Sequence, residues 1–351
     1  MFEANRRVKA IKLRGAKSEG FWCPLENLSY AGDVSKLKEG DQLDEFNGHA
    51  ICNKYFTPAT QRTGQGKKTR QRDNAMFHKH IDTGMFKREM QLIPVGSLVW
   101  VTEKLHGTSQ RIGHVLDEVP VKRNSLMQIV ARMLNWPSIT KEWRHLIGTR
   151  NVIVDHRDGE DGFYGAEKFR GDVVNGVSLH RGECVYGEVV GYTESAPIMA
   201  TQNIGQLKDK RLKELYGDRI DYSYGCLPGT CAFYVYRITQ VNEDGLSTEL
   251  SWNQVKKRCR ELGMKTVPEL EFFIVEDPER MRRLVGYLTE DEVNGLPHPS
   301  TLDTRHIREG VVVRYESEHG TGWLKNKSFA FGCLEGYLKE SDEFVDTEES
   351  A

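Results

Sequence analysis

No stretch of this chain stays apolar for anything near the roughly 20 residues needed to cross a bilayer, and the opening Met-Phe-Glu-Ala-Asn-Arg-Arg lacks the apolar core of a signal peptide. The expectation is a soluble, intracellular, cytoplasmic protein with no membrane partner. Charge of one sign is also missing: 49 Lys and Arg face 51 Asp and Glu, a formal net charge of −2. Any grip on a polyanion must therefore come from local basic patches. There is no CxxC pair, and the cysteines number seven, widely spread (Cys23, Cys52, Cys184, Cys226, Cys231, Cys259 and Cys333). An odd, scattered set suits free thiols in a reducing compartment better than a disulfide framework. The spacings of His180, Cys184, Cys226 and Cys231 match no familiar zinc pattern. Neither heptads nor a repeat of fixed period appear, which favours a monomer.

What is present divides into two parts, as the 351 residues allow. Over residues 7–55, short apolar stretches alternate with glycines at 15, 20, 32, 40 and 48, the spacing of a small β-barrel. Residues 60–74 (TQRTGQGKKTRQRDN) contain no apolar side chain and read as an exposed loop or linker. A boundary near residue 90 follows, with one domain and its linker over 1–90 and a second domain over 91–351. Beyond Ile93, β-branched or aromatic runs at Ser97–Thr102, Glu183–Val190, Ala232–Tyr236 and Gly310–Arg314 predict strands. Leu126, Ile129, Val130, Met133 and Leu134 recur at helical spacing ahead of Pro137. A basic helix is expected over Trp252–Leu262 and another after Pro278. The second domain is thus α+β, and the acidic last 15 residues receive no function.

The sharpest motif is Glu103-Lys-Leu-His-Gly-Thr-Ser109, a lysine leaving a strand with a glycine three residues on to permit a tight turn. Alone, Lys-x-x-Gly is common. Farther along come Tyr186-Gly-Glu-Val-Val-Gly191, Phe233-Tyr-Val-Tyr-Arg-Ile238, Arg308-Glu-Gly-Val-Val-Val-Arg314 and Trp323-Leu-Lys-Asn-Lys327. Their order resembles that of the covalent nucleotidyltransferase superfamily of polynucleotide ligases and capping enzymes. Thr149-Arg-Asn151 resembles its short arginine motif. His106 stands where many members have Asp, and Tyr236-Arg237 where many have Phe-Asp.

The resemblance implies Lys104 as the nucleophile that takes AMP from ATP. An amine attacks phosphorus only when unprotonated, and a free lysine, with a pKa of about 10.4, is almost wholly charged at neutral pH. Nearby cations disfavour the ammonium form, so Lys325 and Lys327, on one strand face at i, i+2, suit catalysis alongside magnesium, for which manganese can substitute. By the same resemblance, Glu188 and Glu309 orient the ribose and the hydrated metal, and Phe233 or Tyr236, on opposite strand faces, stacks on adenine. Glu103, Lys104, His106, Gly107, Arg150, Lys325 and Lys327 complete the nucleotide-binding set.

Only 24 residues follow Lys327, too few for the C-terminal OB domain of DNA ligases and capping enzymes. The stretches Val8–Gly15 and Ser18–Trp22 resemble the opening of an RNA-ligase branch that carries its OB domain first. The implied architecture is an N-terminal OB-type β-barrel, then an α+β nucleotidyltransferase (ATP-grasp-like) domain with antiparallel sheets. The implied activity joins RNA 3′-OH and 5′-phosphate ends through lysyl-AMP and RNA-adenylate intermediates, in RNA repair. Lys67, Lys68, Arg70 and Arg72, or Lys79, Lys87 and Arg88, are candidates to meet phosphate. Two other classes compete. A DNA ligase or guanylyltransferase would use the same lysine with another nucleotide or nucleic acid, and a non-catalytic RNA-binding module would form no lysyl-AMP.

Overall fold

Most of the strand signals settle into two antiparallel sheets. In the computed structural model the described residues are 24–38, 45–51, 73–121, 136–154, 168–207, 210–291 and 296–335, with short strands at 7–8, 12–13, 16–17 and 53–54 and the single residue Met127. Contacts divide the chain into two units, one of Met1–Arg70 with Phe344–Ala351 and one of Gln71–Glu343. In the first, Arg7–Val8 pairs with Asn53–Lys54, Lys12–Leu13 with Ala16–Lys17, and Glu45–Phe46 with His49–Ala50. Among the described residues no sheet closes into a barrel. Much of the expected OB-type barrel lies outside them. So do Cys23, Cys52, the basic residues Lys67, Lys68, Arg70 and Arg72, the helix pattern of Leu126 to Leu134 apart from Met127, and the acidic tail beyond Glu335.

In the larger unit the strands of the two main sheets are β1 (Gly84–Met85), β2 (Leu98–Lys104), β3 (Thr108–Pro120), β4 (Ile139–Gly148), β5 (Ile153–Val154), β6 (Glu183–Gly191) and β7 (Cys231–Val241). They continue as β8 (Ser247–Glu249), β9 (Lys265–Thr266), β10 (Glu269–Ile274), β11 (Gly310–Ser317) and β12 (Gly320–Lys327). The seven-stranded sheet runs β5-β4-β3-β6-β7-β8, with β9 parallel to β7. The five-stranded sheet runs β10-β2-β11-β12-β1, and only β1 joins it in parallel. The result is a mixed α+β domain.

Helix ends follow local chemistry. The helix α1 is Lys168–Asp172, and α2 is Trp252–Leu262, the span that the sequence predicts. Ser251 and Gln254 form a capping box at the start of α2, and Gly263, left-handed at φ 67°, closes its end. Its basic face is largely paired, Lys256 with Glu269 and Arg258 with Glu183 and Glu261. In α3 (Pro278–Thr289) the Asp277 side chain accepts from the Glu279 N–H, and Pro278 occupies the first turn, where its missing N–H is harmless. A short α4 (Phe329–Leu334) starts from Ser328.

The apolar faces of α1 and α2 pack with Ile112, Val185, Val189 and Val235 into the main core. A second core, of Val99, Val101, Val311, Val313 and Leu324, lies beneath α3. Met76, Phe77, Tyr186 and Leu146 form a third. Among the described residues no helix is long and apolar enough to cross a membrane.

Candidate active site

Strand register decides what surrounds Lys104. It lies opposite Gly310 on β11, and Gly310 lies opposite Lys327 on β12. Directly paired residues project to the same face, so two lysines flank a position with no side chain. A Cβ on Gly310 would stand 2.2 Å from the Asn326 carbonyl oxygen, so β11 approaches β12 this closely because the residue is glycine. Lys325 and Trp323 follow on the same face of β12 at two-residue steps.

Glu309 collects these charges. Its Oε1 lies 2.7 Å from Lys104 Nζ and 3.3 Å from Lys327 Nζ, and its Oε2 lies 3.7 Å from His106 Nδ1. The side chain is 1% exposed, and Lys104, Lys327 and His106 converge on it. Burial pushes its pKa up, but Lys104, Lys327 and His106 outweigh burial and hold the carboxyl below the usual value. The backbone is fixed as well, since the Ser328 N–H donates to the Glu309 carbonyl at 2.9 Å.

Glu188 comes from the other sheet. It sits on β6, half-buried, opposite Ser109 and Tyr234, and the Ser109 hydroxyl donates to its Oε2 at 3.3 Å. Burial, reinforced by the Glu309 charge and opposed by Lys104, raises its carboxyl to about 7. Gly107 brings the two sheets' residues together. A Cβ there would lie 2.4 Å from the Val189 carbonyl oxygen and 2.9 Å from Glu188 Cγ. The sequence suggests that this glycine serves a tight turn, yet it has no positive φ. Its missing side chain leaves room for β6.

The His106 ring stands edge-on to Tyr222 and Phe331, at centroid distances of 4.7 and 4.9 Å. Its Nε2 faces Glu335, 3.7 Å away. Glu335 escaped the sequence reading, since no motif marks an acidic residue just beyond a short helix. Tyr222, whose hydroxyl donates to Gln202 Oε1 at 2.6 Å, escaped it for the same reason.

Not every expected residue joins the cluster. Glu103, one step from Lys104, points to the opposite face, where its Oε2 accepts from the Thr301 N–H at 2.9 Å and lies 3.9 Å from Arg308 Nε. Arg150 is half-exposed and paired with Asp82. Phe233 lies on the face away from Glu188, in the main core against Gly187. Tyr236 is on the Glu188 side, the extra residue of a bulge where Tyr186 pairs with Arg237 and Gly187 with Val235. Its hydroxyl hydrogen-bonds His80 Nδ1 at 2.6 Å. Burial, with help from Arg111, Arg150, Arg237 and Arg170, holds His80 down at about 3, so that imidazole is neutral. Tyr234, directly across from Glu188, is an aromatic that the sequence reading passed over. The bulge turns Arg237 over the Tyr186 ring, 4.4 Å from its centroid, and into a pair with Glu249. Lys79 pairs with Asp73 at 3.2 Å, and Lys87 and Arg88 are exposed.

Among the described residues no group of three or more His, Cys, Asp or Glu side chains is placed to hold a metal, His180, Cys184, Cys226 and Cys231 included. Two carboxylates suit a different ion. Magnesium keeps several waters and commonly takes one or two protein carboxylates plus substrate phosphate. Glu309, held ionised, and Glu188, raised to about 7, are a pair that a hard cation would satisfy.

A family model described as RNA ligase matches residues 97–327, from just before β2 to the last residue of β12. Among solved structures, the chain is similar to a Naegleria gruberi RNA ligase with pyrophosphate, at 16% identity and a TM-score of 0.42, covering 93% of this chain and 75% of that one. It is likewise similar to a mutant of that ligase with AMP and manganese, at 16% identity and a TM-score of 0.43, covering 94% and 76%. No curated protein matches the sequence.

Proposed function

The chain belongs to the RNA ligase family, and from that premise we propose that it is an ATP-dependent ligase which joins RNA 3′-OH and 5′-phosphate ends, with Lys104 as the nucleophile. The observation that carries this reading is the convergence of Lys104, Lys327 and His106 on the buried Glu309 carboxylate. In the first step the Lys104 amine forms a bond to the α-phosphorus of ATP, and the bond to pyrophosphate breaks. Lys325 and Lys327 offset charge on the transferring group, and most of the acceleration comes from such positioning and electrostatics. Glu188 and Glu309 are the residues that would hold a divalent metal, whose contribution would be to offset negative charge on the transferring phosphate. AMP then passes to an RNA 5′-phosphate, and a 3′-hydroxyl displaces it to leave a phosphodiester.

Tyr236 is proposed to face adenine, and Glu103, His106, Gly107 and Arg150 to serve nucleotide binding, Glu103 and Gly107 through the placement of the backbone around Lys104. An OB-type domain with its linker over 1–90, ahead of a nucleotidyltransferase domain over 91–351, completes the proposal, and RNA repair is the setting that it fits.

The test is incubation of the purified protein with α-labelled ATP and magnesium, without nucleic acid. Label on the denatured wild-type chain, absent from Lys104→Ala, is the expected result. An unlabelled wild type, with ATP, GTP or NAD, would overturn the reading.

A further inference from the structure

Two residues flanking Lys104 are tied to parts of the chain far away in sequence. On one side, Glu103 Oε2 accepts from both the N–H and the hydroxyl of Thr301, at 2.9 and 2.5 Å. On the other, the His106 N–H donates to the Tyr224 hydroxyl oxygen at 2.6 Å. Tyr224 is itself unusual. It is one of two non-glycine residues among those described with positive φ, at 49°, and its side chain is buried at 3% exposure. A bulky residue in the left-handed region is strained and persists only where its surroundings impose it.

Asp303 imposes it. Its Oδ2 accepts from the Ser223 hydroxyl at 2.6 Å and from the Gly225 N–H at 3.2 Å, so one carboxylate grips the residues on either side of Tyr224. Arg305 locks the grip, donating to Asp303 Oδ2 and Oδ1 at 2.8 Å each and to the Ser223 hydroxyl at 3.1 Å. Asp303 lies two residues beyond Thr301. The segment from Ser300 to His306, closed on itself by the Ser300 N–H to His306 carbonyl bond of 3.0 Å, thus reaches both sides of the nucleophile.

We infer that Tyr224 is a positioning residue for Lys104: held in a left-handed conformation by Asp303, it fixes the backbone at His106 while Thr301 fixes Glu103. Tyr224 touches neither ATP nor metal in this scheme and acts only by holding the loop. A nucleophile must meet phosphorus within a narrow range of distance and angle, and small misplacements are costly in rate. This inference rests on the reading of Lys104 as the nucleophile.

The test measures single-turnover lysyl-AMP formation against ATP concentration for wild type, Tyr224→Phe, Asp303→Asn and the double variant, with thermal melting of each. Tyr224→Phe keeps the ring and removes the hydroxyl. It should slow the rate at saturating ATP by about tenfold or more, leave half-saturation within about twofold, and lower the melting temperature by no more than a few degrees, as the loss of one hydrogen bond does. Asp303→Asn should slow the same step, and the double variant should be no slower than the slower single one, because both act through one brace. A Tyr224→Phe rate within twofold of wild type, or a loss that appears only as weaker ATP binding, would overturn the inference. An unlabelled wild type would instead overturn the function itself.

Discussion

Two carboxylates, Glu188 on β6 and Glu309 just before β11, lie close enough for one charge to act on the other, with opposite outcomes. Glu309 is the more enclosed, yet it is held ionised. Glu188 is half-buried, yet its pKa is raised to about 7. Burial disfavours charge in both, so what separates them is company. Glu309 has Lys104, Lys327 and His106 within 3.7 Å, whereas Glu188 accepts from the neutral Ser109 hydroxyl and feels Lys104 and Arg170 too weakly to offset its burial. The five-stranded sheet carries fixed positive charge at its rim, and the seven-stranded sheet contributes an acid that titrates near neutrality. One corner is preset by cations, and the other takes up a proton near neutrality.

The largest effects should come from breaking the preset corner. Lys104→Ala should abolish labelling, and Glu309→Gln should slow lysyl-AMP formation by about a thousandfold. Both should also destabilise the protein at pH 7, by about 1–3 kcal/mol in urea unfolding, because cation and carboxylate lose their partners in a buried place. Since the Glu309 pKa is depressed on folding, the stability that it contributes is present above the ordinary Glu value and is lost as pH falls through the folded one. The deficit of Glu309→Gln should therefore shrink in acid. A Glu309→Gln variant as stable as wild type at pH 7 would contradict the charge arrangement.

Glu188→Gln should move stability the other way. A pKa raised to about 7 means that this residue's contribution is fully present below about 4.5, the ordinary Glu value, and is lost as pH rises through 7. Replacing it should gain about 2–3 kcal/mol at pH 8 and almost nothing at about pH 4, while slowing AMP transfer about a hundredfold. For wild type, the rate should rise with pH up to about 7, and more magnesium should pull that midpoint down, because the cation competes with the proton on Glu188. A midpoint indifferent to magnesium would separate Glu188 from the metal.

These contrasts show which parts of the site can be read from the sequence. Lys325 and Lys327 share a face because strands alternate, and a polar residue at Ser251, Asp277 or Ser328 marks a helix start, so local periodicity suffices for both. Glu335, Tyr222 and Tyr224 were invisible because they reach His106 from 229, 116 and 118 positions away in the numbering, and no local pattern encodes such a meeting. Gly107 stands out in the sequence as a turn residue, and the structure adds the close approach of Val189 as a second reason for glycine there. A glycine in a motif can mean conformational freedom or missing volume, and only the approach of Val189 reveals the second. Gly107→Ala, with its Cβ 2.4 Å from that carbonyl, should push the loop off β6 and cost about 1–3 kcal/mol of stability together with about tenfold in rate.

The smallest expected effect concerns Tyr236, and it sharpens the comparison because this residue lies on the Glu188 side alone. Its hydroxyl is spent on the neutral His80, so removing it in Tyr236→Phe forfeits one net hydrogen bond, about 1 kcal/mol, and leaves the ring in place. Tyr236→Ala also removes the ring that is proposed to face adenine. If Tyr236 faces the base, ATP half-saturation should rise severalfold in Tyr236→Ala and stay near wild type in Tyr236→Phe, with the rate at saturation little changed in either, since neither touches the cations around Glu309. Equal losses in the two variants would assign the residue to holding His80, and would turn attention to Tyr234, the other aromatic directly across from Glu188.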